Sequence, residues 1–210
     1  RMVQNQENVF YYLTLLNENY AMPGLTAGTE EKILKGMYLC KAGGAGEQRV
    51  QLLGSGTILR ESFFAQELLA QDWGIAADVW SCPSFNELTR DGQDAERWNM
   101  LHPTAEARVP YIAQVLGSEA TIAATDYMKS FADQVRAFVP TENYRVLGTD
   151  GYGRSDSRAN LRRHFEVNEF YVVVAALTEL AKRGEVDKQV VAEAIAKYGL
   201  DTERAAPWTV

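Results

Sequence analysis

The side chains that most often ligate metals or serve as nucleophile and base are scarce: the 210 residues include two cysteines and two histidines. Cys40 and Cys82 cannot build a metal site by themselves. Each adjoins an apolar, strand-like run, which predicts small buried hydrophobes. Long apolar runs are missing too. The longest, Val172-Val173-Val174-Ala175-Ala176-Leu177, falls far short of the roughly 20 residues of a membrane span. The opening RMVQNQENVF is polar and lacks the apolar stretch of a signal peptide, so a reducing cytoplasm is the expected compartment. Positive charge is in deficit, with 21 Lys and Arg against 28 Asp and Glu. The resulting net charge of −7 repels nucleic acid and anionic membranes, and neither is expected as a partner.

What is present reads as an α/β fold. Val9 to Leu16 (VFYYLTLL) is almost continuously apolar and suits a strand buried on both faces. The polar stretch 17–24 closes in Pro-Gly and reads as a linker, placing a domain boundary near Gly24. Beyond it, strands are expected at Met37–Cys40, Val50–Leu53, Ile75–Trp80, Thr121–Thr125 and Tyr144–Leu147. Helices are expected at Thr57–Trp73, from about Ser84, at Met128–Val139, from near Ser157, at Asn168–Arg183 and at Asp187–Tyr198. Ser84 and Asp187 are suitable N-caps, and Gly184 a suitable C-terminal stop. This alternation predicts a mostly parallel, mixed sheet of about five strands with helices on both faces. The abrupt opening Arg1-Met2-Val3 reads as a fragment of a longer protein.

Three constellations are candidates for function. Gly54-Ser55-Gly56-Thr57 turns a strand into a helix and could hold an anion on free backbone N–H groups. Leu59 stands where a dinucleotide fingerprint needs its third glycine, and no P-loop lysine follows. A tight turn capped by Ser55 or Thr57 is the favoured explanation. The second, Thr149 to Arg158, follows a strand at the carboxyl edge where α/β proteins bind ligands. It is otherwise a capping loop in which Arg154 pairs with a carboxylate. The third, Asp91 to Pro103, crowds Asp91, Arg97, Trp98, Asn99 and His102 into a polar segment of the kind interfaces use, and Arg154 joins them as a candidate contact. No nucleophile elbow, metal-spaced cluster or thiamin-type Gly-Asp-Gly motif occurs, and His102 and His164 lack a recognisable catalytic partner. No catalytic, cofactor-binding or metal-binding residue is therefore assigned.

Five strings carry a family resemblance: YLTLLNENY (12–20), VQLLGSG (50–56), RDGQDAERWNMLHP (90–103), VPYIAQV (109–115) and LGTDGYGRSDSR (147–158). Together the chain resembles the carboxyl-terminal region of the homodimeric, decarboxylating component of bacterial pyruvate dehydrogenase, in the transketolase superfamily. The resemblance implies a parent enzyme that uses thiamin diphosphate and Mg²⁺, decarboxylates pyruvate and acetylates lipoyl groups. It implies that residues 1–24 close the preceding, pyrimidine-binding domain and that 25–210 form a transketolase-like carboxyl-terminal domain. This domain is expected to be inactive alone, to bind no cofactor and to organise the dimer. Expected partners are the rest of the parent chain, a second copy and the dihydrolipoyl acetyltransferase core. The competing expectation is a regulatory module that binds a small anion or nucleotide at the carboxyl edge of the sheet.

Overall fold

The computed structural model describes residues 1–210 except 12, 14, 16, 17, 22 and 23. Five strands form one sheet: β1 (Tyr38–Lys41), β2 (Arg49–Gly54), β3 (Ala76–Ser81), β4 (Ala120–Ala124) and β5 (Tyr144–Leu147). Their order is β1-β3-β2-β4-β5, with β1 antiparallel at one edge and the other four parallel. The helices are α1 (Glu30–Leu34), α2 (Leu59–Trp73), α3 (Phe85–Leu101), α4 (Tyr111–Val115), α5 (Lys129–Asp133), α6 (Arg158–His164), α7 (Glu169–Lys182) and α8 (Lys188–Lys197). The expected mixed, mostly parallel five-stranded sheet is the one found.

Strand geometry sorts neighbouring side chains to opposite faces, and each face builds its own core. Leu52, Ile122 and Ala124 point into a cluster with Ile58, Leu69, Val173 and Leu177, supplied by α2 and α7. Leu53 and Ala123 point the other way, towards Phe85, Leu88, Ile112, Val135 and Phe138. Each such fully buried aliphatic side chain contributes on the order of 1.5–3 kcal/mol. The three central strands are apolar on both faces because helices cover both. Cys82 is buried in the second cluster, whereas Cys40 is only partly covered.

Local signals set the helix ends. Ser84 accepts from the Glu87 N–H, Ser157 from Asn160 and Asp187 from Gln189. Gly184 takes φ +73° just past α7, a conformation that glycine adopts without cost.

Three expectations are corrected. Of the strand expected at Val9–Leu16, Tyr12, Thr14 and Leu16 lie outside the described residues. Phe10, Leu13 and Leu15 lie in no strand and are 86%, 77% and 89% exposed, since no sheet edge meets them. The helix expected over Met128–Val139 is α5 followed by a 3₁₀ turn, Arg136–Phe138. Its buried residues Ala132, Val135, Phe138 and Val139 all enter the second core, and the last turn tightens to bring them there. Ser55 and Thr57 do not cap the turn before α2: the Ser55 hydroxyl meets that of Thr125 at 3.1 Å, and Thr57 donates to Asp126. The short helices α1 and α4 are additional elements that lack a clear apolar period.

Candidate functional site

From β2 the chain crosses through α2 to β3 on one side, and from β4 it crosses through α5 to β5 on the other. The connections that leave the carboxyl ends of the neighbouring strands β2 and β4 therefore turn to opposite faces of the sheet, which is where open α/β sheets leave a crevice. The two glycine-containing loops, almost a hundred residues apart in sequence, meet there. They form a cleft of about 330 Å³ lined by Thr57, Asp126, Thr149, Gly151 and Gly153, by Arg154, Arg158 and Arg162, and by Ile58, Leu161, Phe165 and Val167.

Hydrogen bonds knit the loops together. Ser55 N–H donates to the Ala124 carbonyl at 3.1 Å, Thr149 N–H to the Tyr127 carbonyl at 2.9 Å, and the Thr149 hydroxyl to the Asp126 carbonyl at 2.7 Å. Asp150 accepts from the Lys129 N–H at 2.8 Å. Gly54 is required by packing, since a Cβ there would lie 2.6 Å from Leu59 Cα. Gly56 has φ +57°, and a Cβ on it would approach Asp126 Oδ1 to 2.8 Å. The expected anion turn thus has a carboxylate of the chain itself beside it, and Thr57 donates to Asp126 Oδ2 at 3.3 Å.

The positive charge comes from α6 and the loop before it. Arg158 and Arg162, four apart on α6, share one helical face, and Arg154 in the loop before it joins them at the cleft. Ser157 caps α6, and Asp156 braces the cap by accepting from the Asn160 amide at 2.8 Å. Arg158 lies 3.0 Å from Glu18 in the preceding linker. Arg162 donates to Glu61 Oε1 at 2.8 Å, and Glu169 N–H donates to Glu61 Oε2 at 3.2 Å. Glu61 is buried on α2. Burial, reinforced by the neighbouring Glu169, outweighs Arg162 and pushes its carboxyl up to about 7. Burial and the charges of Arg204 and Arg154 hold His164 below its usual value.

The segment singled out at 91–103 lies elsewhere. Helix α3 begins at the carboxyl edge and runs back along the sheet for 17 residues, or roughly 25 Å. Its last turn is therefore remote from Arg154. There the His102 ring stacks on Trp98 at 3.6 Å, and the Arg108 guanidinium also lies 3.6 Å from the Trp98 ring. Asn99 bonds reciprocally with the Arg108 backbone at 2.9 and 2.7 Å, and Asp91 accepts from Tyr111 N–H. These side chains fold the following loop onto the helix. Arg97, Met100 and Leu101 are exposed beside them.

Glu61 and Arg162 carry no sequence signal, because each reads as an ordinary charge on a helix until its partner 101 residues away is in place.

Comparison with known proteins gives a consistent picture. The chain is 61% identical over 204 residues to the pyruvate dehydrogenase E1 component of Escherichia coli K12, covering 97% of this chain and 23% of that protein. It is 59% identical over 206 residues to the same component of Haemophilus influenzae, again with 97% and 23% covered. The chain thus spans less than a quarter of the length of these curated relatives. A transketolase from Pichia stipitis, solved as a complex with sedoheptulose-7-phosphate, shares the fold: TM-score 0.52 at 16% identity, over 78% of this chain and 20% of that one. Residues 36–168, from the end of α1 to the start of α7, match the model of the transketolase-like TK C-terminal domain, and the chain belongs to that family.

Proposed function

We propose that the chain is the carboxyl-terminal, dimer-organising domain of a thiamin-diphosphate-dependent pyruvate dehydrogenase component, and that catalysis belongs to the remainder of that protein. The observation that carries this reading is 61% identity across 97% of the chain to a protein of which it covers 23%. In this reading residues 1–24 close the preceding domain and lead into the domain at 25–210. The whole enzyme decarboxylates pyruvate, acetylates the lipoyl groups of the acetyltransferase core, works as a homodimer and resides in the cytoplasm. Exposed apolar side chains support an assembly role. Phe10, Leu13 and Leu15 stand clear of the domain at one end, and Tyr127, Met128, Tyr152 and Trp208 are exposed around the carboxyl edge of the sheet. Apolar groups in such number seek cover from another surface.

The residues of the cleft do not suit the magnesium ion that accompanies thiamin diphosphate. Among the described residues no three His, Cys, Asp or Glu side chains lie close enough to share a metal ion. Asp126 is the one carboxylate lining the cleft, and Mg²⁺ needs several oxygen ligands in octahedral array. No chemical step on pyruvate is assigned to these side chains. Among the described residues no helix is long and apolar enough to cross a membrane.

The chain assayed with pyruvate, thiamin diphosphate, Mg²⁺ and an artificial electron acceptor is expected to show no turnover. A full-length relative lacking this region is expected to sediment as a monomer. Turnover by the chain near that of the intact enzyme, or an active dimer without the region, would overturn the reading.

A further inference from the structure

The geometry points to the cleft at the carboxyl ends of β2 and β4 as a binding site for a small carboxylic acid that carries a short hydrocarbon body. This goes beyond the assembly role and does not depend on it. The cleft has two chemically different parts. Its floor is apolar, made of Ile58, Leu161, Phe165 and Val167, with Ile58 and Val167 almost wholly buried. Its rim carries Arg154, Arg158 and Arg162 and the hydroxyls of Thr57 and Thr149, with Asp126 as the single carboxylate. Guanidinium groups recognise a carboxylate through paired N–H donors, and the floor offers cover to a few methylene groups. A volume of about 330 Å³ stands at the small end of ligand pockets, which limits the occupant to a small molecule.

Two further observations favour a carboxylate. Glu18 already places one 3.0 Å from Arg158, so the rim holds a carboxylate of the chain itself. Asp126 lies against Gly56 and Thr57 and makes the turn after β2 unfavourable to an anion, directing the acid head towards the α6 side. Arg162 is 19% exposed and anchored by Glu61, so it contributes a fixed charge, while the exposed Arg154 and Arg158 can adjust to the ligand.

The test is titration calorimetry of the 210-residue chain with acetate, butyrate and hexanoate at constant ionic strength, with inorganic phosphate as a head group lacking a body. Millimolar binding is expected to tighten about threefold to fourfold for each added methylene until the floor is covered. Arg154→Met combined with Arg158→Met, both at exposed positions, is expected to weaken hexanoate at least tenfold. Glu18→Gln is expected to tighten it severalfold, and Arg183→Met, on the far end of α7, to leave it unchanged. Equal affinity for acetate and hexanoate, phosphate binding without hexanoate binding, an unaffected double variant, or no saturable binding in the millimolar range would each overturn the proposal.

Discussion

Glu61 is the residue whose chemistry departs furthest from what its position in the sequence suggests. It sits in the first turn of α2, where an acid ordinarily complements the helix dipole in solvent, yet it is 3% exposed. In the folded chain its carboxyl titrates near 7, against 4.5 for the free group. Between those values the folded state binds more protons than the unfolded one, so stability falls as pH rises through that window and levels off above it. The full effect is about 3 kcal/mol at most. Glu61→Gln keeps an acceptor for the Glu169 N–H and removes the titration. Thermal melts of the parent are expected to fall relative to those of the variant from about pH 5 to about pH 7.5; parallel profiles would refute the assignment. Glu179 shows the opposite outcome. Burial alone would raise it, but the bonds from Lys182 and Arg145 outweigh that and hold it below its usual value. Neither balance could be read from sequence, since partners such as Arg145 and Glu179 are 34 residues apart and meet only across the sheet and α7.

Among the elements, most were legible because local chemistry and tertiary packing agree. Strands β2, β3 and β4 announce themselves as apolar runs, and Ser84, Ser157 and Asp187 cap α3, α6 and α8. The break after α5 was not legible, since it follows from how Ala132, Val135 and Phe138 enter the second core. The same packing explains a glycine within α3. Gly92 is buried, and the ring of Phe138 lies where its Cβ would be. Helix propensity alone favours Gly92→Ala by about 1 kcal/mol. The clash predicts the reverse, a net loss of about 1–3 kcal/mol in urea denaturation. In a Phe138→Leu background the loss is expected to shrink. A stabilised single variant would show that the ring moves aside freely.

At the scale of the whole molecule, the placement of the cleft followed from the alternation of strands and helices, because connections that turn to opposite faces of the sheet leave a crevice where the topology reverses. The arginines that line it did not follow, as the loop at 149–158 read equally well as a cap. The proposed boundary near Gly24 separates the domain from the residues that precede it. The described links include Glu18 with Arg158 and the Tyr20 ring 4.4 Å from the Arg60 guanidinium. Exposed ion pairs and cation–π contacts of this kind contribute roughly 1 kcal/mol or less each. Deleting residues 1–24 is therefore expected to lower the melting temperature by only a few degrees. It is also expected to reduce self-association in sedimentation, by removing Phe10, Leu13 and Leu15. Loss of cooperative unfolding would move the boundary towards the amino terminus.

Those two links also define how the domain carries load. Glu18 and Tyr20 fasten the incoming chain to α6 and to the start of α2, ahead of the first residue of the sheet. A pull on the amino terminus therefore loads these two side-chain contacts, among others, before it reaches the hydrogen bonds between β1 and β3.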